Sequence, residues 1–204
     1  MLSILLTLLG AFVFTEIVGY FIHIVLHSQK IEFLSRGHMI HHMKIYGADM
    51  PQRPNSQYRD STENRWSILG VGLEWLIPIF TIIALVFGVA HYFELYSIHF
   101  FVFISGSLAW GYFLFGYMHS SMHLKDFWML KVPYLKDWYL KIRKYHDIHH
   151  LHISDDGKMN VNYGICFFIF DRLFGSFKPS FSKFNKKGYE VSKEKYSFIY
   201  NDNE

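Results

Sequence analysis

The 204-residue sequence holds a single cysteine, Cys166. A disulfide framework within one chain is excluded, as is a cysteine-rich zinc or iron–sulfur site, so any metal must be held by other ligands. Charge is also scarce. Asp, Glu, Lys and Arg make up 18% of the residues and the formal net charge is +3, too small and too dispersed to argue for a nucleic-acid partner. There is no glycine fingerprint for a dinucleotide and no haem-attachment cysteine pair, so if the chain carries out redox chemistry its electrons would have to come from a separate donor protein. What the sequence has instead is apolar bulk, with 51% hydrophobic and 20% aromatic residues, and 13 histidines. Such a balance reads as a membrane protein.

Three apolar runs are long enough to cross a hydrocarbon core of roughly 30 Å, which takes about 20 helical residues. The first, Leu2 to Leu26, has no preceding Lys or Arg and is too long for a signal peptide, so it is expected to remain in the mature protein. The second, Ser67 to Ala90, contains Glu74 and Pro78; the third runs from Leu95 to Met118, and the short link His91 to Glu94 makes the two a helical hairpin. All 20 basic residues fall on one side of these spans: six between His27 and Trp66, fourteen after His119, and none before Lys30 or in the link. The positive-inside rule then places the first loop and the C-terminal third in the cytoplasm.

Phe127 to Tyr145 mixes Trp128, Trp138, Tyr134 and Tyr139 with five basic residues, as expected of a helix at a membrane surface, and Pro133 fits its start. Ile165 to Phe170 is too short to span and is expected to dip into the interface or pack on the helices. The expected class is an all-α integral membrane protein of about three transmembrane helices with a helical, His-rich cap. A membrane domain over 1–177 would be followed by a polar, basic, weakly structured tail over 178–204.

Ten histidines fall in four clusters: His23 and His27 (HIVLH), His38, His41 and His42 (HMIHH), His119 and His123 (HSSMH), and His146, His149 and His150 (HDIHH). Residues three and four apart share a helix face, so each cluster projects its imidazoles into one small volume. Histidine is 13 of 204 residues, so HxxHH is expected by chance about 0.05 times in this length, yet it occurs twice. Buried together without a ligand, ten imidazoles would leave most of their nitrogens unsatisfied. One ion accepts four to six ligands, so ten imply two metals. Imidazole does not choose among Zn, Cu, Fe and Ni. A site reached by apolar substrates favours oxygen chemistry on a C–H bond, hence iron, with zinc able to substitute by affinity.

The order HxxxH, HxxHH, HxxxH, HxxHH, followed by Asn162-Tyr163-Gly164 and by DRLFGSF from Asp171 to Phe177, resembles the fatty acid hydroxylase and sterol desaturase superfamily over His23 to about Phe177. Phe170 stands where the family often has Trp, and three spans are fewer than the family's frequent four. The resemblance implies that the ten histidines bind a non-haem di-iron centre, which uses O2 and two electrons to hydroxylate or desaturate an acyl, sterol or isoprenoid chain. The alternatives are a His-rich metal transporter or storage protein, or a structural zinc protein. Transporters place ion sites at the midplane on broken helices, whereas these clusters sit at helix ends.

Other residues are weighed singly. His91 and His99 fall roughly 30 Å from the clusters and are read as interface residues. His152 turns off the face shared by His146, His149 and His150 and is read as a neighbour of the ligands or of substrate. Glu16 faces the same way as His23 and His27 about 10 Å deeper, and is assigned to the cavity or to pairing with Glu74. Asp147, Asp155, Asp156, Asn160 and Asn162 lie near enough to the last cluster to orient imidazole N–H groups.

Overall fold

The computed structural model describes residues 2–59, 67–68, 71–181 and 183–200. Helix α1 (Leu2–Leu26) is the first apolar run, unbroken because its apolar side chains carry no competing polar group and its only charge is Glu16. At 1.5 Å per residue it is about 37 Å long, enough to cross a bilayer. Its end leads into α2 (Glu32–Ile40), which passes without interruption into a π-helical turn, His41–Ile45. A two-residue antiparallel ladder, β1 (Ser67–Ile68) with β2 (Val71–Gly72), precedes α3 (Leu73–Tyr92).

Helix α4 (Ile98–Gly111) begins at Ser97, whose Oγ accepts from the Phe100 amide, and continues through a second π-helical stretch, Tyr112–Met118, into the short α5 (His119–Met122). The three runs Leu2–Leu26, Leu73–Tyr92 and Ile98–Met122 are long and apolar enough to span a membrane. Their outward side chains fit that solvent: Leu5, Leu9, Phe80, Leu85, Val89 and Phe101 are exposed.

Helices α1 and α4 pack along small residues, as membrane helices do where no hydrophobic effect drives them together. A Cβ added at Gly106 would meet Leu8 and Ala11, and one at Gly19 would clash with the edge of the Phe115 ring in the π-helical stretch that continues α4. The Thr15 hydroxyl donates to the Ala11 carbonyl and, across the interface, to that of Ser107. Helix α3 leans on α2 and touches α1 less, which leaves a gap between the three spans.

Helix α6 (Pro133–Leu151) starts with Pro at its first turn, where a missing N–H costs nothing. Tyr139, Ile142 and Ile148 pack with Leu114, Met118, Met122, Ile165 and Phe168, while Lys136, Lys141, Lys144 and Tyr134 stay exposed. Ile165, Cys166 and Phe168 from the short apolar patch are thus core residues. Helix α7 (Ile169–Phe174) ends at Gly175, whose φ of +79° is the left-handed stop that glycine supplies.

The tail differs from expectation. Asn185 caps α8 (Lys186–Lys195), and Tyr189, Tyr196 and Ile199 are buried against Met39, Met43 and Met159. The Tyr196 hydroxyl donates to the His27 carbonyl at 2.7 Å. Tyr189 and Tyr196, seven apart, share one face with Ser192; the Lys-rich composition around them hides that stripe.

Candidate metal centre

Among the described residues, ten histidines form two groups of possible ligands. Group one is His23, His27, His38, His42 and His149; group two is His41, His119, His123, His146 and His150. In each group one nitrogen per residue lies within 4.8 Å of every other. Nitrogens bound at about 2.1 Å to a common ion sit about 3 to 4 Å apart, so little movement separates these groups from coordination spheres.

The division explains the sequence pattern. Each HxxHH gives its first and last histidine, four apart and one above the other, to one group, and its fourth position to the other. His38 and His42 serve group one and His41 serves group two; His146 and His150 serve group two and His149 serves group one. Adjacent helical residues point about 100° apart, so a helix lying between two ions can feed both. Each HxxxH pair stays whole, His23 with His27 and His119 with His123. The rings of His42 and His150 stack across the boundary at 4.0 Å between centroids. Both π-helical stretches lie here: one carries His41 and His42, and the other precedes His119 and resets its phase.

Backbone carbonyls fix the tautomers. His23 Nδ1 donates to the Tyr163 carbonyl at 2.5 Å and His149 Nδ1 to that of Val161 at 2.7 Å. In group two, His150 Nδ1 donates to Tyr46 at 3.1 Å and His123 Nδ1 to Gln52 at 3.3 Å. A carbonyl only accepts, so each contact puts the proton on Nδ1 and leaves Nε2 with a bare lone pair.

Those lone pairs face one another. Nε2 of His23 and of His27 each lie 3.0 Å from His38 Nε2, and Nε2 of His27 lies 3.3 Å from that of His149. Both nitrogens of His42 and Nε2 of His41, His119 and His150 are buried with no hydrogen-bond partner. Burial holds the imidazoles outside the spans in the neutral, ligating form. His38, His41, His42, His123, His146 and His150 are pushed well below the ordinary 6.5, and His149 to about 4. Buried neutral imidazoles with converging, unsatisfied lone pairs fit a pair of cations.

A cavity of about 720 Å³ runs from these groups into the gap between α1, α3 and α4. His23 and His38 of group one and His41 and His119 of group two reach its wall, which is otherwise largely aliphatic and aromatic, with Val18, Ile22, Trp75, Ile79, Ile83 and Ile104. Glu74, Tyr58, Thr15 and Ser107 are among its polar residues.

The remaining residues are distributed as follows. Glu74 lines the cavity, but it stands in the first turn of α3, because that helix starts at Leu73 and not at Ser67. It is therefore near the histidine end and not at the depth of Glu16. Glu16 is buried away from the cavity: with Tyr20 one turn later it faces segment 163–176, beside Cys166, whose thiol is pushed up by burial and by that carboxylate. His152 belongs to neither group; its ring meets Lys178 Nζ at 3.3 Å in a separate polar cleft. Asp147 binds Arg53 through both oxygens at 2.6 and 2.7 Å and orients no imidazole. Asp155 pairs with Asn185 and Asp156 with Lys158 and Ser154, and Asn160 is exposed. Asn162 is fully buried and binds the Tyr145 and Lys178 carbonyls. His91 is exposed, and His99 meets Thr7 Oγ1 at 3.0 Å, both far along the spans from either group.

Sequence reasoning missed the carbonyls that accept from the ligand imidazoles, those of Tyr46, Gln52, Val161 and Tyr163, since a backbone acceptor carries no side-chain signal. It also missed Arg53 and Arg143. These guanidinium groups bind the Met122 carbonyl, and Arg143 also that of Leu124, which satisfies the end of the helix that carries His119 and His123.

The model of the family described as fatty acid hydroxylase matches residues 8–176, which includes all ten histidines. This chain belongs to the fatty acid hydroxylase family. Comparison with curated proteins and with solved structures gave no match. Membership in the family, three apolar helices and two metal-competent groups together support a membrane oxidoreductase of the lipid hydroxylase and desaturase class.

Proposed function

We propose that this fatty acid hydroxylase family member oxidises the apolar chain of a membrane lipid at two iron ions, one in each histidine group. It would take O2 as oxidant and two electrons from a separate donor protein, on the cytoplasmic face of the membrane. The observation that carries the reading is that one cavity between the spanning helices reaches histidines of both groups. When bound, the iron pair supplies the redox chemistry that activates O2 and breaks a C–H bond.

The chain's own residues supply placement. Carbonyls of residues 46, 52, 161 and 163 hold four imidazoles on Nδ1. The apolar wall of α1, α3 and α4 accepts a lipid chain entering from the bilayer and excludes water from the reacting carbon. An acyl, sterol or isoprenoid chain fits that wall chemistry. Hydroxylation inserts one oxygen, whereas desaturation removes a second hydrogen on the same scaffold.

The test is mass analysis of lipids from cells expressing the chain or its His149→Ala variant. A species heavier by one oxygen, or lighter by two hydrogens, is expected only with the unaltered chain. Identical lipid profiles, with the unaltered protein carrying iron and a reducing system present, would overturn the reading.

A further inference from the structure

Group one takes two of its imidazole hydrogen bonds from one short segment. Val161 accepts from His149 and Tyr163 from His23, while Asn162 between them holds a left-handed φ of +54°. A non-glycine residue in that conformation needs anchoring, and Asn162 has it: its side chain also accepts from the Lys178 amide at 2.7 Å.

The segment's amides converge on one carboxylate. Asp171 is fully buried; its Oδ1 accepts from the Tyr163 amide and from Ser176 Oγ, and its Oδ2 from the Gly164 amide, each at 2.7 Å. Amides only donate and they meet both oxygens, so the site satisfies the ionised form. Gly164 is needed for this approach, because a Cβ there would lie 2.7 Å from Asp171 Oδ2. The Gly164 N–H belongs to the same peptide unit as the Tyr163 carbonyl. A carboxylate on that N–H strengthens the carbonyl as an acceptor, and the carbonyl in turn holds the His23 Nδ1 proton.

We infer that Asp171 is a positioning residue for group one alone, acting through the 163–164 peptide to fix the tautomer and raise the basicity of His23, and through the same clamped segment to hold His149. It does so as a carboxylate–peptide–histidine relay. Group two has no share in it, since its carbonyls come from Tyr46 and Gln52. The inference rests on the two-ion reading, and one experiment separates them.

Full-length protein in detergent is titrated with Co2+, read by visible absorption and by metal analysis. His149→Ala and His150→Ala define the spectrum left when group one or group two is lost. Asp171→Asn places an NH2 against one of the two amides and is expected to weaken one ion by about 10- to 100-fold, the usual cost of an outer-shell change. The ion retained should match that of His149→Ala. Ser176→Ala leaves both amides bonded and is expected to weaken the same ion about fivefold, so the test survives if Asp171→Asn does not fold. Unchanged uptake of both ions in the Asp171→Asn protein, or equal loss of both, overturns the inference; where that protein does not fold, the same outcomes in Ser176→Ala do so. The ratio in the unaltered protein tests the two-ion reading separately, because the inference is read from the difference between variant and parent.

Discussion

The two histidine groups follow one plan from different materials. Each combines an HxxxH pair, the outer pair of one HxxHH and the fourth residue of the other. Group one is anchored on α1, inside the first span, and its carbonyls come from segment 161–163, downstream of α6. Group two is anchored on α5, at the end of the third span, and its carbonyls come from residues 46 and 52, downstream of α2. The two HxxHH segments lie between and are shared. Neither group can form without residues from both halves of the chain, so an ion bound at one would organise most of the second.

The widest break in this comparison comes from splitting an HH dipeptide. His41→Ala and His42→Ala should each lower bound metal from two ions to about one and reduce turnover at least about 100-fold, yet leave different ions behind, as read by Co2+ absorption. If both variants retain the same ion, the alternation of groups along the helix is wrong. The parallel pair, His149→Ala and His150→Ala, should show the same exchange.

The three apolar spans and the ten clustered histidines were legible in the sequence, because apolar length and histidine spacing are local signals. The assignment of neighbours was not. HxxHH states that three imidazoles share a region but not that the fourth position crosses to the other group, which depends on where α2 and α6 lie. Glu16 was placed in the cavity on helical phase alone, while the segment that covers it, 163–176, comes from far along the chain. Asp171 stood inside a recognised motif with no hint that its partners would be two amides.

The groups should respond alike to acid. In the metal-free protein burial keeps the imidazoles outside the spans neutral, His149 down to about 4, whereas in the unfolded chain they titrate near 6.5. Below about 6.5 the unfolded state binds more protons, so stability is lost as pH falls, by up to about 1.4 kcal/mol per pH unit for each such histidine. The thermal midpoint of metal-free protein in detergent should drop steeply between pH 7 and pH 5, and loading with zinc should raise the midpoint at every pH while leaving the drop, because the protons are taken up by the unfolded chain. A flat profile without metal would mean that the imidazoles are hydrated and the groups open.

Arg53 sharpens the difference between the groups. Its bidentate pairing with Asp147 joins the loop before α3 to α6 beside His146, and it also reaches the Met122 carbonyl. Both side chains are more than one-fifth exposed, so Arg53→Gln should cost only about 1 kcal/mol, seen as a fall of a few degrees in the melting midpoint. Any loss of metal affinity should appear in group two, and an equal loss in group one would mean that the loop supports the whole cap.

The smallest effect belongs to the far end of the spans. His99 lies twenty residues before His119 along one continuous helical run, about 30 Å away, and its ring nitrogen meets Thr7 Oγ1, which already donates to the Ser3 carbonyl. The contact ties α4 to α1 in the same way that Thr15 and Ser107 do nearer the centre. Interhelical hydrogen bonds of this kind in membranes average about 0.6 kcal/mol, so His99→Ala should barely move the melting midpoint. Both ions and turnover should be retained. A change in metal content would mean that the α1–α4 contact transmits strain along its whole length to His23 and His119. The tight approach of Gly19 to Phe115, one turn before His23 and His119, would then be the coupling point, to be tested by combining His99→Ala with Phe115→Leu.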